Sequence, residues 1–64
     1  MNLKELGTII RNRRKYLKLS QQELADLAEA NINTIVNIER GTGNPLFTTV
    51  MRLAEVLGLD IIMK

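Results

Sequence analysis

Apolar residues near the start of the chain recur at helical rather than strand spacing. Leu3, Leu6, Ile10 and Leu17, with Ile9 and Tyr16 beside them, share one side of a helical wheel, while the basic residues fall mostly on other faces. This predicts a first helix. Ser20 followed by Glu23 has the spacing of a capping box, in which the serine oxygen accepts from the third helical amide and the glutamate reaches back to the cap amide. A second helix therefore starts at Gln21, turns Leu24, Ala25, Leu27 and Ala28 inward, and runs out near Glu29. Its alanines allow a neighbouring helix to come close.

Asn31 is a good N-cap, and neither proline nor glycine interrupts Ile32 to Arg40 before Gly41, a residue type favoured just past a helix end. In this third helix Ile35 and Ile38 share an inward face, leaving Asn33, Val36, Asn37 and Arg40 outside and Ile32 at the edge. Gly41 to Pro45 reads as a loop. A fourth helix carries Phe47, Val50, Leu53, Ala54 and Leu57 inward and stops at Gly58.

The last six residues differ in kind. Leu59, Ile61 and Met63 alternate with Asp60, Ile62 and Lys64, and the isoleucines favour an extended strand. No other segment offers a partner strand, so the segment either frays or pairs with a second copy across a two-fold axis. Pairing is the expectation adopted, with Leu59, Ile61, Ile62 and Met63 as dimerisation residues of a homodimer. The expected architecture is all-α: one domain over residues 1–58, a compact bundle of four to five short helices, and a C-terminal strand over 59–64.

Composition narrows the possibilities. A chain of 64 residues buries only roughly 60% of the surface its unfolded form exposes. The sequence has no cysteine and no histidine, so disulfides and the usual zinc sites are not available as staples. Stability must come from helix packing or from a second copy. The same absence, with no glycine-rich phosphate loop and carboxylates scattered along helices, leaves no catalytic constellation, no metal site and no expected cofactor or small-molecule ligand. No apolar run approaches the roughly 20 residues needed to span a bilayer, and the N-terminus does not resemble a signal peptide. A cytoplasmic protein without a membrane partner is expected.

Net charge is only +2, but it is unevenly placed. Up to Leu19, Lys4, Arg11, Arg13, Arg14, Lys15 and Lys18 stand against Glu5 alone; beyond it Arg40, Arg52 and Lys64 face six carboxylates. A basic end suits an anionic partner, although a solvated helix face has the same composition. Arg11, Arg13 and Lys15 fit the solvated reading better than base contact.

Two short helices joined by the turn Glu29, Ala30, Asn31 match the helix-turn-helix pattern, whose second helix enters the major groove. The run Leu19-Ser20-Gln21-Gln22-Glu23-Leu24-Ala25, then Asn31 and Thr34-Ile35, then Ile38-Glu39-Arg40-Gly41 and Pro45, resembles the Cro/C1-type helix-turn-helix family, also called the Xre family, over residues 3–59. Leu46 to Met63 further resembles HipB-type antitoxins, autoregulating repressors that also bind a toxin kinase and whose tail forms an intermolecular β-lid.

The resemblance implies a lambda-repressor-like bundle and a role for individual residues. Gln21 would contact a phosphate and brace the third helix, and Arg14 and Glu39 would form a buried structural ion pair. Ile32, Asn33, Val36 and Asn37 occupy the positions that face base edges. Asparagine suits adenine and an aliphatic side chain suits a thymine methyl, which hints at an A·T-containing half-site. Thr34, Arg40, Thr42 and Asn44, with Gln21, are the expected phosphate contacts.

Simpler readings stand beside these. Asn31 is accounted for as a cap; Ile32 and Val36 could be packing or merely exposed residues; Thr42 and Asn44 suit the turn itself. One departure from the family pattern is Glu29, where relatives use glycine for its tolerance of positive φ. It implies either a modified turn or some strain.

Two functional classes remain. One is a DNA-reading transcriptional repressor, a homodimer on an inverted repeat with its third helices about 34 Å apart, and an antitoxin if a toxin partner exists. The other is a protein-interaction module that docks a toxin or another regulator with little DNA specificity.

Overall fold

The computed structural model describes residues 1–60 and contains four helices among them: α1 Leu3–Tyr16, α2 Gln21–Leu27, α3 Ile32–Arg40 and α4 Phe47–Leu57. Each start has a local cause. The Asn2 side chain accepts from the Glu5 amide at 2.8 Å to cap α1. At α2 the capping box is complete, with the Glu23 amide donating to Ser20 Oγ at 3.0 Å and the Ser20 amide to Glu23 Oε1 at 2.8 Å. Asn31 Oδ1 accepts from the Asn33 amide at 2.7 Å and caps α3. Leu46 precedes α4 without a side-chain cap.

The helix ends show where this chain is strained. α3 and α4 close on Gly41 and Gly58 in the left-handed region, as expected. The turns after α1 and α2 use the same backbone conformation without glycine, at Lys18 (φ 59°) and Glu29 (φ 53°). A side chain in that region costs roughly 1–2 kcal/mol. Glu29 therefore takes the strained option: the turn keeps the left-handed geometry. α2 ends at Leu27, two residues short of Glu29, and the Ala30 amide returns to the Ala25 carbonyl at 2.9 Å.

The core gathers Ile10 from α1, Leu24, Ala25 and Ala28 from α2, Ile35 and Ile38 from α3, and Leu53 and Leu57 from α4. α1 lies against the C-terminal end of α3, and Gly7 makes this possible. A Cβ at Gly7 would collide with the Ile38 carbonyl oxygen and lie 2.9 Å from that of Glu39. Sequence periodicity had assigned no role to Gly7.

Several inward assignments are corrected. Leu27 is 58% and Phe47 56% exposed, and Leu3 and Leu17 are also exposed. On the wheel Leu27 lies roughly 110° from the centre of the arc formed by Leu24, Ala25 and Ala28, at about 100° per residue, and α2 is too short to have a second buried side. Phe47 occupies the first turn of α4, beyond the reach of the core.

The strand assignment also fails for the part described. Leu59 donates its amide to the Ala54 carbonyl at 2.8 Å and packs, half-buried, against its own core, and no strand occurs among the described residues. A terminal apolar residue satisfied within its own chain needs no partner strand. The other expected dimerisation residues, Ile61, Ile62 and Met63, lie outside the described residues. No helix is long and apolar enough to cross a membrane.

Candidate nucleic-acid interface

The outward face of α3 follows from what the other face buries. Ile35 and Ile38 are in the core, so the opposite arc carries Asn33, Asn37 and Arg40, spaced four and three residues apart and all exposed. The two amides stand roughly 6 Å apart along the axis, at 1.5 Å per residue, a spacing that spans neighbouring base pairs. This stripe presents four amide hydrogens, two amide oxygens and one guanidinium.

The aliphatic candidates are less free. Ile32 packs against the core and Val36 is half-buried on the flank of the stripe. Of the four base-reading candidates, the structure brings Asn33 and Asn37 fully outward and leaves Ile32 and Val36 at the margin. Asn31 spends its side-chain oxygen on the cap.

The phosphate candidates are similarly divided. Arg40 and Asn44 are exposed, and Thr34 and Gln21 half-buried. The Thr42 hydroxyl donates to the Asn37 carbonyl at 3.2 Å, and its amide donates to the same oxygen at 3.0 Å. Its one hydroxyl proton is thus engaged in closing α3, which ties the following loop to a reading residue. The Cα of Lys4 lies only 2.7 Å from where a Cβ on Gly41 would stand, so the exposed Lys4 sits beside this loop. Sequence reasoning had not singled out Lys4, because its neighbourhood depends on the crossing of α1 with α3.

Behind the stripe lies the ion pair. Arg14 Nε donates to Glu39 Oε2 at 2.7 Å and Nη2 to Oε1 at 3.0 Å, while Nη1 donates to the Leu19 carbonyl at 2.8 Å. The two side chains are 10% and 4% exposed. The hydrogen bond from Glu39 raises the Arg14 pKa above its ordinary value; desolvation opposes this and the Glu39 charge adds to it. Gln21 Nε2 also donates to Glu39 Oε1, at 3.2 Å. One carboxylate therefore joins α1, the start of α2 and the end of α3. Charge-assisted, two-pronged bonds of this type fix orientation as well as energy.

Arg13 is a second structural cation. Its Nε donates to the Leu57 carbonyl at 2.8 Å, at the C-terminal end of α4, and its guanidinium carbon lies 5.1 Å from the centre of the Tyr16 ring. Both contacts favour a cation, through the helix dipole and the aromatic face. The solvated reading of Arg13 is thereby replaced; the sequence showed only another basic residue.

Comparison with known proteins agrees with this architecture. The model of the helix-turn-helix family matches residues 10–62. An uncharacterized HTH-type transcriptional regulator of Methanothermobacter thermautotrophicus is 38% identical over 55 residues, covering 86% of this chain and 80% of that protein. The restriction-modification controller protein C.AhdI from Aeromonas hydrophila superposes with a TM-score of 0.84 at 29% identity, over 91% of this chain and 88% of its own. The capped α2, the tight turn at Glu29 and the outward-facing α3 are thus those of a chain that belongs to the helix-turn-helix family.

Proposed function

We propose that this protein is a sequence-specific DNA-binding transcriptional regulator that lays α3 in the major groove and represses by occupying its operator as a homodimer. The observation that carries this reading is the exposed stripe of Asn33, Asn37 and Arg40 on a helix anchored from behind by Glu39. Asn33 and Asn37 each offer the donor and acceptor that pair with adenine N7 and N6, and Val36 lies where a thymine methyl could meet it. Arg40, Gln21, Asn44 and Thr34 would hold the phosphates that set register. Thr42 can join them by accepting, or by releasing Asn37.

The two relatives reported support this reading, one described as a transcriptional regulator and the other as a controller protein. A homodimer on an inverted repeat supplies what one short helix lacks, a second half-site one turn away. Toxin binding, implied by the resemblance of Leu46 to Met63 to HipB-type antitoxins, is the rival role for the same chain.

Electrophoretic mobility shift with the DNA upstream of the protein's own gene, over a range of salt, tests the proposal. Binding should fall steeply as salt rises and should exceed that to scrambled DNA by about 1,000-fold or more. Equal, weak binding to both would refute DNA reading and leave the protein-interaction role.

A further inference from the structure

A shallow apolar groove of about 480 Å³ runs between the start of α1 and the start of α4, and none of its lining residues belongs to α3. Leu3, Ile9 and Phe47 line it, and Leu46 and Met51 adjoin it on the α4 side. All five are at least 38% exposed, and Leu46 reaches 70%. Single exposed apolar residues are ordinary on a protein surface. A concentration of five on one face of so small a domain marks an interaction surface.

We propose that a second copy of this chain covers the groove, with Phe47 and Met51 from each copy meeting across a two-fold axis. The inference rests on the DNA-reading proposal for its purpose. Three observations favour a second copy over another protein. The charged residues bordering the groove carry both signs, Lys4 and Arg52 with Glu55 and Asp60. Rotation about a two-fold axis can set such a border against itself, as a self-complementary interface requires. Only the loop from Gly41 to Leu46 separates α3 from α4, so an axis through the start of α4 would fix the two reading helices relative to one another. Finally, a core drawn from four short helices and no staples gains stability when a copy buries its remaining apolar face.

Sedimentation equilibrium of the full chain tests this, with Phe47→Glu, Met51→Glu and the double variant Ile61→Asp/Ile62→Asp. Wild type should form dimers in a concentration-dependent manner. Phe47→Glu and Met51→Glu should each weaken dimerisation at least about 100-fold, since a buried carboxylate at an interface centre has no partner. Both sites are exposed in the monomer, so far-UV circular dichroism should be unchanged. The tail variant should alter dimerisation less than about tenfold. Wild type that is monomeric at all concentrations overturns the proposal, as do groove variants that dimerise normally or dimerisation lost only in the tail variant. The DNA-reading proposal fails separately: a wild-type dimer sensitive to Phe47→Glu that cannot tell operator from scrambled DNA would retain this interface and refute the reading.

Discussion

Replacing Glu39 by glutamine tests the most interconnected site in the molecule. The substitution conserves shape but removes the negative charge from a carboxylate that is 4% exposed and faces Arg14, Gln21 and no other cation. Arg14 remains protonated, because its pKa lies above an already high ordinary value. It is then a nearly buried cation with only the Leu19 carbonyl and a neutral amide for partners. Breaking one half of a buried pair costs about 3–5 kcal/mol, and the lower end applies here, since the pair lies close beneath the surface of a thin domain. A chain this size has roughly 3–10 kcal/mol of total stability, at 0.05–0.15 kcal/mol per residue. A loss of about 3 kcal/mol corresponds to a melting temperature lower by roughly 12–24 °C.

Thermal and urea unfolding followed by circular dichroism measure the effect. Salt should do little to it, since a buried pair is weakly screened. The double variant Arg14→Met/Glu39→Met supplies the control, because it removes both charges and keeps the volume, and should recover most of the loss. A melting temperature for Glu39→Gln within about 3 °C of wild type would refute the reasoning. So would a double variant no more stable than the single.

Three further outcomes follow from individual residues. Gly7→Ala should destabilise by at least about 2 kcal/mol, although alanine is the better helix former, because the added methyl has only the Ile38 and Glu39 carbonyls to move; unchanged urea unfolding would show that α1 and α3 are not in contact. Glu29→Gly should raise the melting temperature, since relief of roughly 1–2 kcal/mol of left-handed strain outweighs roughly 0.5–1 kcal/mol of added chain entropy. A decrease would mean that the Glu29 side chain has a stabilising role. Arg40→Ala should weaken operator and scrambled DNA alike and flatten the salt slope by about 1 per half-site, whereas Asn37→Ala should lose roughly 1–3 kcal/mol on operator only. Identical responses from the two variants in mobility shifts would remove the distinction between positioning and reading.

The order of elements was legible along the chain because its signals are local. Ser20 with Glu23, Asn31 three residues before Thr34, and Gly41 and Gly58 act within one helical turn, and they act in the structure as they read in the sequence. The Arg14–Glu39 pair came from resemblance, since nothing local joins residues 25 apart. The face of α3 was also legible: with Ile35 and Ile38 inward, Asn33, Asn37 and Arg40 had to point out.

Tertiary structure decided how wide each buried arc is. A wheel ranks directions around one helix, but the neighbours' lengths and crossings determine how much of the circle is covered. That is why Leu27 and Phe47 are exposed, Ile32 is packed and Leu59 is folded onto its own domain. It also decided the roles of Gly7 and Arg13, one a gap for two carbonyls on α3 and the other a cap for the end of α4. Both contacts join backbone atoms to residues more than thirty positions away. Sequence patterns report the side chains of one segment, and a distant carbonyl enters only when the helices cross.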